Sequence, residues 1–133
     1  MAFESENLTR NENRQGEIAH DETDNLIASD KVEDTTVFDR QGDKLGTIKN
    51  FMVGKRNGSV EYAVLSFGGL FGMGERYHPL PWNALKYDTN KGGFVLDIDK
   101  EQLKSGPSFE RGQEPKFDRQ YGENLYSHYG RSY

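Results

Sequence analysis

Ile48-Lys49-Asn50-Phe51-Met52-Val53-Gly54-Lys55-Arg56-Asn57-Gly58-Ser59-Val60-Glu61-Tyr62-Ala63-Val64-Leu65-Ser66-Phe67 decides the fold. Two segments rich in β-branched and aromatic residues flank Asn57-Gly58. A type I′ hairpin turn needs positive φ at both central positions, and Asn-Gly tolerates this best. The two segments are therefore expected to pair as an antiparallel hairpin. In the second segment Val60, Tyr62, Val64 and Ser66 share one face, and Glu61, Ala63, Leu65 and Phe67 share the other. Both faces turn apolar toward the middle, which predicts a central strand covered on both sides.

Working outward, turn signals at Asp39-Arg40-Gln41-Gly42 and Asp88-Thr89-Asn90-Lys91-Gly92-Gly93 cut the rest of the region into short strands. The expected strands are 35–38, 45–55, 59–67, 75–80, 84–87 and 94–99. In the last, Phe94, Leu96 and Ile98 should face the core and Asp97 and Asp99 the solvent. Pro79 and Pro81 mark the end of their strand as an edge. Trp82 reads as a core anchor. The fold class is all-β: a small six-stranded antiparallel barrel, closed or nearly so, which removes free strand edges. After it, 100–104 reads as one helical turn. Asp118 can then cap a helix running to about Tyr129, with Gly130 as its stop. Phe117, Tyr121, Leu125 and Tyr129 form a stripe on one helix face. By default the stripe rests on the barrel's outer wall, and a second subunit is the alternative.

Composition bounds the rest. Of the 133 residues only 33% are apolar or aromatic, and residues 30–104 hold most of them, with the single Trp. One domain is expected over 26–104. It is preceded by an acidic, disordered arm over 1–25 and followed by a linker and amphipathic helix over 105–133. The net charge of −5 sits in the arm, because residues 1–30 carry eight acids against Arg10 and Arg14. An acidic arm on a neutral body argues against nucleic acid and anionic lipid. No apolar run is long enough to insert in a membrane, no secretory signal is visible, and there is no Cys. These features point to the cytoplasm.

Three stretches together resemble a known family. They are Leu26-Ile27-Ala28-Ser29-Asp30-Lys31-Val32, then Gly42-Asp43-Lys44-Leu45-Gly46-Thr47-Ile48, then Tyr62-Ala63-Val64-Leu65-Ser66-Phe67-Gly68-Gly69-Leu70-Phe71-Gly72-Met73-Gly74-Glu75-Arg76-Tyr77-His78-Pro79-Leu80-Pro81-Trp82. The pattern is similar to the PRC-barrel family, over about residues 26 to 104. That family includes the cytoplasmic domain of the photosynthetic reaction-centre H subunit and the C-terminal domain of a bacterial ribosome maturation factor. The resemblance implies a six-stranded barrel used for docking or assembly, not an enzyme. It also suggests an alternative role, as an accessory of electron transfer or of RNA and ribosome maturation.

Candidate chemistry is sparse. Gly68-Gly69-Leu70-Phe71-Gly72-Met73-Gly74 is glycine-dense, but no Lys-Ser/Thr and no helix follow, so it does not read as a phosphate loop. It reads either as a barrel corner with Leu70, Phe71 and Met73 packed inward, or as an apolar knob presenting them to a partner. His78 reads as a packed or solvated residue, and Asp97, Asp99 and Asp88 as a solvated face. His20, His78 and His128 lack zinc spacing. No cofactor, metal or catalytic residue is expected. The partner-binding candidates are Leu70, Phe71, Met73, Tyr121, Leu125 and Tyr129. The partner is a protein, with a homodimer as the first expectation.

Overall fold

The computed structural model describes residues 26–68 and 75–133. The arm expected over 1–25, and Leu70, Phe71 and Met73, lie outside the described residues. A short helix, α1 (Ser29–Val32), leads into β1 (Thr36–Phe38), β2 (Lys44–Val53), β3 (Val60–Gly68) and β4 (Glu75–Pro81). A 3₁₀ turn (Trp82–Ala84) connects to β5 (Leu85–Asp88) and β6 (Gly93–Leu96), and α2 (Lys100–Ser105) and α3 (Arg119–His128) complete the chain.

The β2–β3 hairpin forms as expected, with Ile48 opposite Leu65 and Phe51 opposite Ala63. Its turn differs from the expected type I′. The last pair is Val53 with Val60, so residues 54–59 form a longer loop. Gly58 takes φ +71°, but among the described residues the one non-glycine with positive φ is Asp34. Asn57 turns the chain with its side chain instead, its Oδ1 accepting from the Ser59 N–H at 2.9 Å. The register slips between Ile48 and Asn50 and again between Met52 and Val53. Such bulges coil a strand strongly, which suits one strand serving two neighbours.

The sheet order is β4-β3-β2-β1-β6-β5. It is mixed, not purely antiparallel, because β1 lies parallel to β6, with Val37 opposite Phe94 and Phe38 opposite Val95. Parallel neighbours require a long crossover, and the whole β2–β5 excursion supplies it. The two edge strands, β4 and β5, are joined by the 3₁₀ turn alone. A flat six-stranded sheet would hold its edges roughly 24 Å apart, whereas three 3₁₀ residues reach about 6 Å. The sheet must therefore roll up, and it does so as a half-barrel. Strand 94–99 also ends early: Asp97 donates its N–H to the Ala84 carbonyl at 2.8 Å, after which the chain turns into α2. Phe94, Leu96 and Ile98 are nonetheless buried, as the alternation predicts.

Aliphatic side chains fill the concave face. Val37, Ile48, Ala63, Leu65, Leu80, Leu96 and Leu103 are all essentially inaccessible. Trp82 is half-buried at the rolled corner, with its ring 5.6 Å from Phe94 and 6.4 Å from Phe51. Among the described residues no helix is long and apolar enough to cross a membrane.

Candidate interaction surface

The convex face of β3 and β4 would be an apolar surface if nothing covered it. Tyr62 and Val64 of β3 pair with Pro81 and Pro79 of β4, and Tyr77 shares their side. The C-terminal segment covers this face. Phe109 forms a two-bond bridge to Tyr77, each N–H donating to the other's carbonyl at 2.9 Å. Tyr77 therefore turns its amide to the outer edge. Pro79 and Pro81 follow at alternate positions, so they remove the next outward N–H groups from an edge that would otherwise recruit another strand. Beyond the bridge, Phe117 stacks at 5.6 Å from Tyr62 and 5.5 Å from Tyr121. Lys49 lays its ammonium 4.4 Å from the Tyr77 ring centre.

Helix α3 begins as the sequence predicts. The Asp118 carboxylate accepts from the Tyr121 N–H at 2.9 Å, and Gly130, at φ +68°, ends it. The stripe rests on the chain's own barrel. Leu125 is fully buried, Tyr129 is buried, and Tyr121 is half-buried. Burial, and then Tyr121, push the Tyr129 hydroxyl up to about 12. Polar ties hold the helix in place. The Tyr126 hydroxyl donates to the Glu61 carbonyl. Gln102 Nε2 donates to the His128 carbonyl at 3.0 Å, and Arg131 donates to the Asp97 carbonyl at 3.1 Å. In this arrangement Leu125 and Tyr129 offer a partner no surface.

The other candidate segment springs from the β3–β4 hairpin, whose last pair is Gly68 with Glu75. The Ser66 hydroxyl donates to the Glu75 carboxylate at this stem. Asp97 and Asp99 point outward, as expected, but they are bound: Arg40 Nε donates to Asp97 Oδ1 at 3.1 Å and Nη1 to Asp99 Oδ1 at 2.8 Å. Asp88 is separate from them and caps its own turn, accepting from the Asn90 N–H at 2.9 Å. Among the described residues no cluster of His, Asp and Glu could hold a metal ion.

His78 lies on the concave side opposite Leu65, 4% exposed, with its ring edge-on to Phe67 at 5.5 Å. Burial, then the Arg76 charge, lower its pKa below the ordinary 6.5, against the opposing, raising influence of the Leu103 backbone. As pH falls, the unfolded chain therefore takes up this proton first. The contribution to stability is complete above 6.5 and is lost as pH drops through 6.5 toward the folded pKa. The urea midpoint is expected to fall between about pH 7.5 and about pH 5.5, and to fall less in His78→Gln. Equal falls would contradict this assignment.

Sequence reasoning missed three features. Phe109 is a lone aromatic in a polar stretch. Arg40 sits far in sequence from the aspartates it binds. Arg76, His78, Lys104 and Ser108 converge only once β4 lies beside α2 and the residues that follow it. No periodic signal marks any of these.

Comparison with known proteins places the fold. The PRC-barrel domain model matches residues 24–103, more than half of the chain. No curated protein matches it. The solved structure of RimM, a 16S ribosomal RNA processing protein from Pseudomonas aeruginosa, is similar at 19% identity and a TM-score of 0.41. The similarity covers 56% of this chain and 44% of RimM, so the chain spans less than half of that protein. On the family match, which begins just before α1 and ends within α2, this chain belongs to the PRC-barrel family.

Proposed function

We propose that the chain is a cytoplasmic, non-enzymatic docking module that joins protein to protein, first of all to its own second copy, through Leu70, Phe71 and Met73. The observation that carries this reading is the filled concave face. Its lining is aliphatic, and the only buried polar residues among those described are Asp39 and His78. Asp39 is occupied in its turn, accepting from the Gln41 and Asp43 amides at 2.9 Å each. Among the described residues side chains fill the concave face, which leaves the outer surface to act. In the C-terminal stripe Leu125 and Tyr129 are buried within the chain and Phe117 and Tyr121 are half-buried. In the sequence, the densest apolar group of the barrel region outside the described core is then Leu70-Phe71-Gly72-Met73, held between the paired ends Gly68 and Glu75.

Light scattering tests this directly. The parent chain is expected to rise with concentration from 15.2 kDa toward twice that mass, and Phe71→Asp to remain monomeric with an unchanged urea midpoint. A parent monomeric at every concentration, or a Phe71→Asp variant that still dimerises, would refute the proposal. A Phe71→Asp variant that unfolds would mean the side chain belongs to the core, and would refute it equally.

A further inference from the structure

Beside the stem of the β3–β4 hairpin, an open cavity of about 230 Å³ is lined by Phe67, Gly68, Arg76, His78, Lys104 and Ser108. Its charged lining is cationic. Arg76 is fixed at the rim: Nε donates to Ser108 Oγ at 2.9 Å, and Nη1 to Glu110 Oε1 at 3.3 Å. Because Ser108 accepts that bond, its own hydroxyl hydrogen remains available to donate. Lys104, exposed in the last turn of α2, adds an ammonium.

His78 supplies the opposite polarity. Its Nδ1 is buried and has no hydrogen-bond partner. A neutral imidazole holds one N–H and one lone pair, and with the proton on Nε2 the buried Nδ1 is an acceptor. Burial and the Arg76 charge favour this neutral form. A buried acceptor without a partner is costly unless something donates to it.

Donors from Arg76, Lys104 and Ser108 facing one buried acceptor sort anions by chemistry. Sulfate and carboxylates only accept near neutral pH. Inorganic phosphate keeps a P–O–H there, and a phosphate monoester keeps one below its second pKa of about 6. We propose that this cavity binds a protonated phosphate group, with Arg76, Lys104 and Ser108 on its oxygens and its P–O–H donating to His78 Nδ1. The site is independent of self-association through Phe71, and either reading can fail alone.

The test is a titration of ¹⁵N-histidine-labelled full-length chain with inorganic phosphate, followed at His78 Nδ1. Phosphate is expected to shift that resonance saturably, and sulfate to bind at least about tenfold more weakly, lacking the donor. Lys104→Ala changes an exposed side chain. It should leave the free-protein resonance in place and weaken phosphate about tenfold. O-phosphoserine distinguishes the source: tighter binding than inorganic phosphate supports an esterified group, and weaker binding supports the free ion. No shift with phosphate, equal binding of sulfate, an unchanged Lys104→Ala affinity, or monoester binding that strengthens as pH rises would each overturn the proposal.

Discussion

Leu125→Ala is expected to lower the stability of the whole domain by about 3 kcal/mol. Leu125 is fully buried, and its neighbours Tyr126 and Tyr129 belong to the same hydrophobic cluster as Leu65 and Leu80 of the barrel. Truncation there loses the transfer free energy of the side chain and leaves a cavity. Substitutions of this type in well-packed cores cost roughly 2–5 kcal/mol. The value expected here lies in the middle of that range, because α3 can settle slightly onto the sheet. Urea denaturation followed by both circular dichroism and Trp82 fluorescence checks this. The two probes should shift together, since Trp82 reports the barrel and circular dichroism includes α3. A loss below about 1 kcal/mol, or a separate early transition of the helix, would show that α3 is an appendage.

Gly46→Ala is expected to cost a similar amount, about 3 kcal/mol, for a different reason. Gly46 lies in β2 opposite Phe67, where the two backbones approach so closely that a Cβ would penetrate the Ser66 carbonyl oxygen. A backbone oxygen inside a central strand pair cannot move aside. The methyl group would have to separate β2 from β3 along their most extensive contact. Gly122→Ala provides the contrast. There the obstacle is the ring of Tyr133, whose exposed side chain can swing away, and alanine gains helix propensity. Its expected effect is within about 1 kcal/mol of zero. Thermal denaturation of the two variants side by side checks the pair. Equal effects would contradict the close strand approach at Gly46.

Local pattern made much of this fold legible. The alternation in Val60–Gly68 announced a strand covered on both sides, and the Phe94, Leu96 and Ile98 alternation announced an inward face. Asp118 and Gly130 bracket α3 almost to the residue because caps are local chemistry. Features set by closure were not legible. β1 is three residues long, and its parallel pairing with β6 follows from the roll of the sheet, which no short window encodes. Asn57-Gly58 marked a turn correctly but not its type. That choice depended on whether Asn57 used its backbone or its side chain. The candidate site was readable only in part. The stripe Phe117, Tyr121, Leu125 and Tyr129 was visible as an apolar face, but its partner was not, since Tyr62 and Val64 could equally have faced another molecule. The cavity at Arg76, His78, Lys104 and Ser108 left no trace in spacing, because its members come from separate segments.

The C-terminal stripe rests on the barrel wall, with Leu125 and Tyr129 buried there, and the proposed function assigns adhesion to the hairpin loop instead. Native-state amide hydrogen exchange along α3 tests it most directly. The amides of residues 122–129 are expected to exchange only through global unfolding, with the same free energy as Ala63, Val64 and Leu65 in β3. Exchange of the α3 amides through a local opening several kcal/mol below that of β3 would contradict it. Tyr121, Leu125 and Tyr129 would then be released often enough to bind a partner themselves.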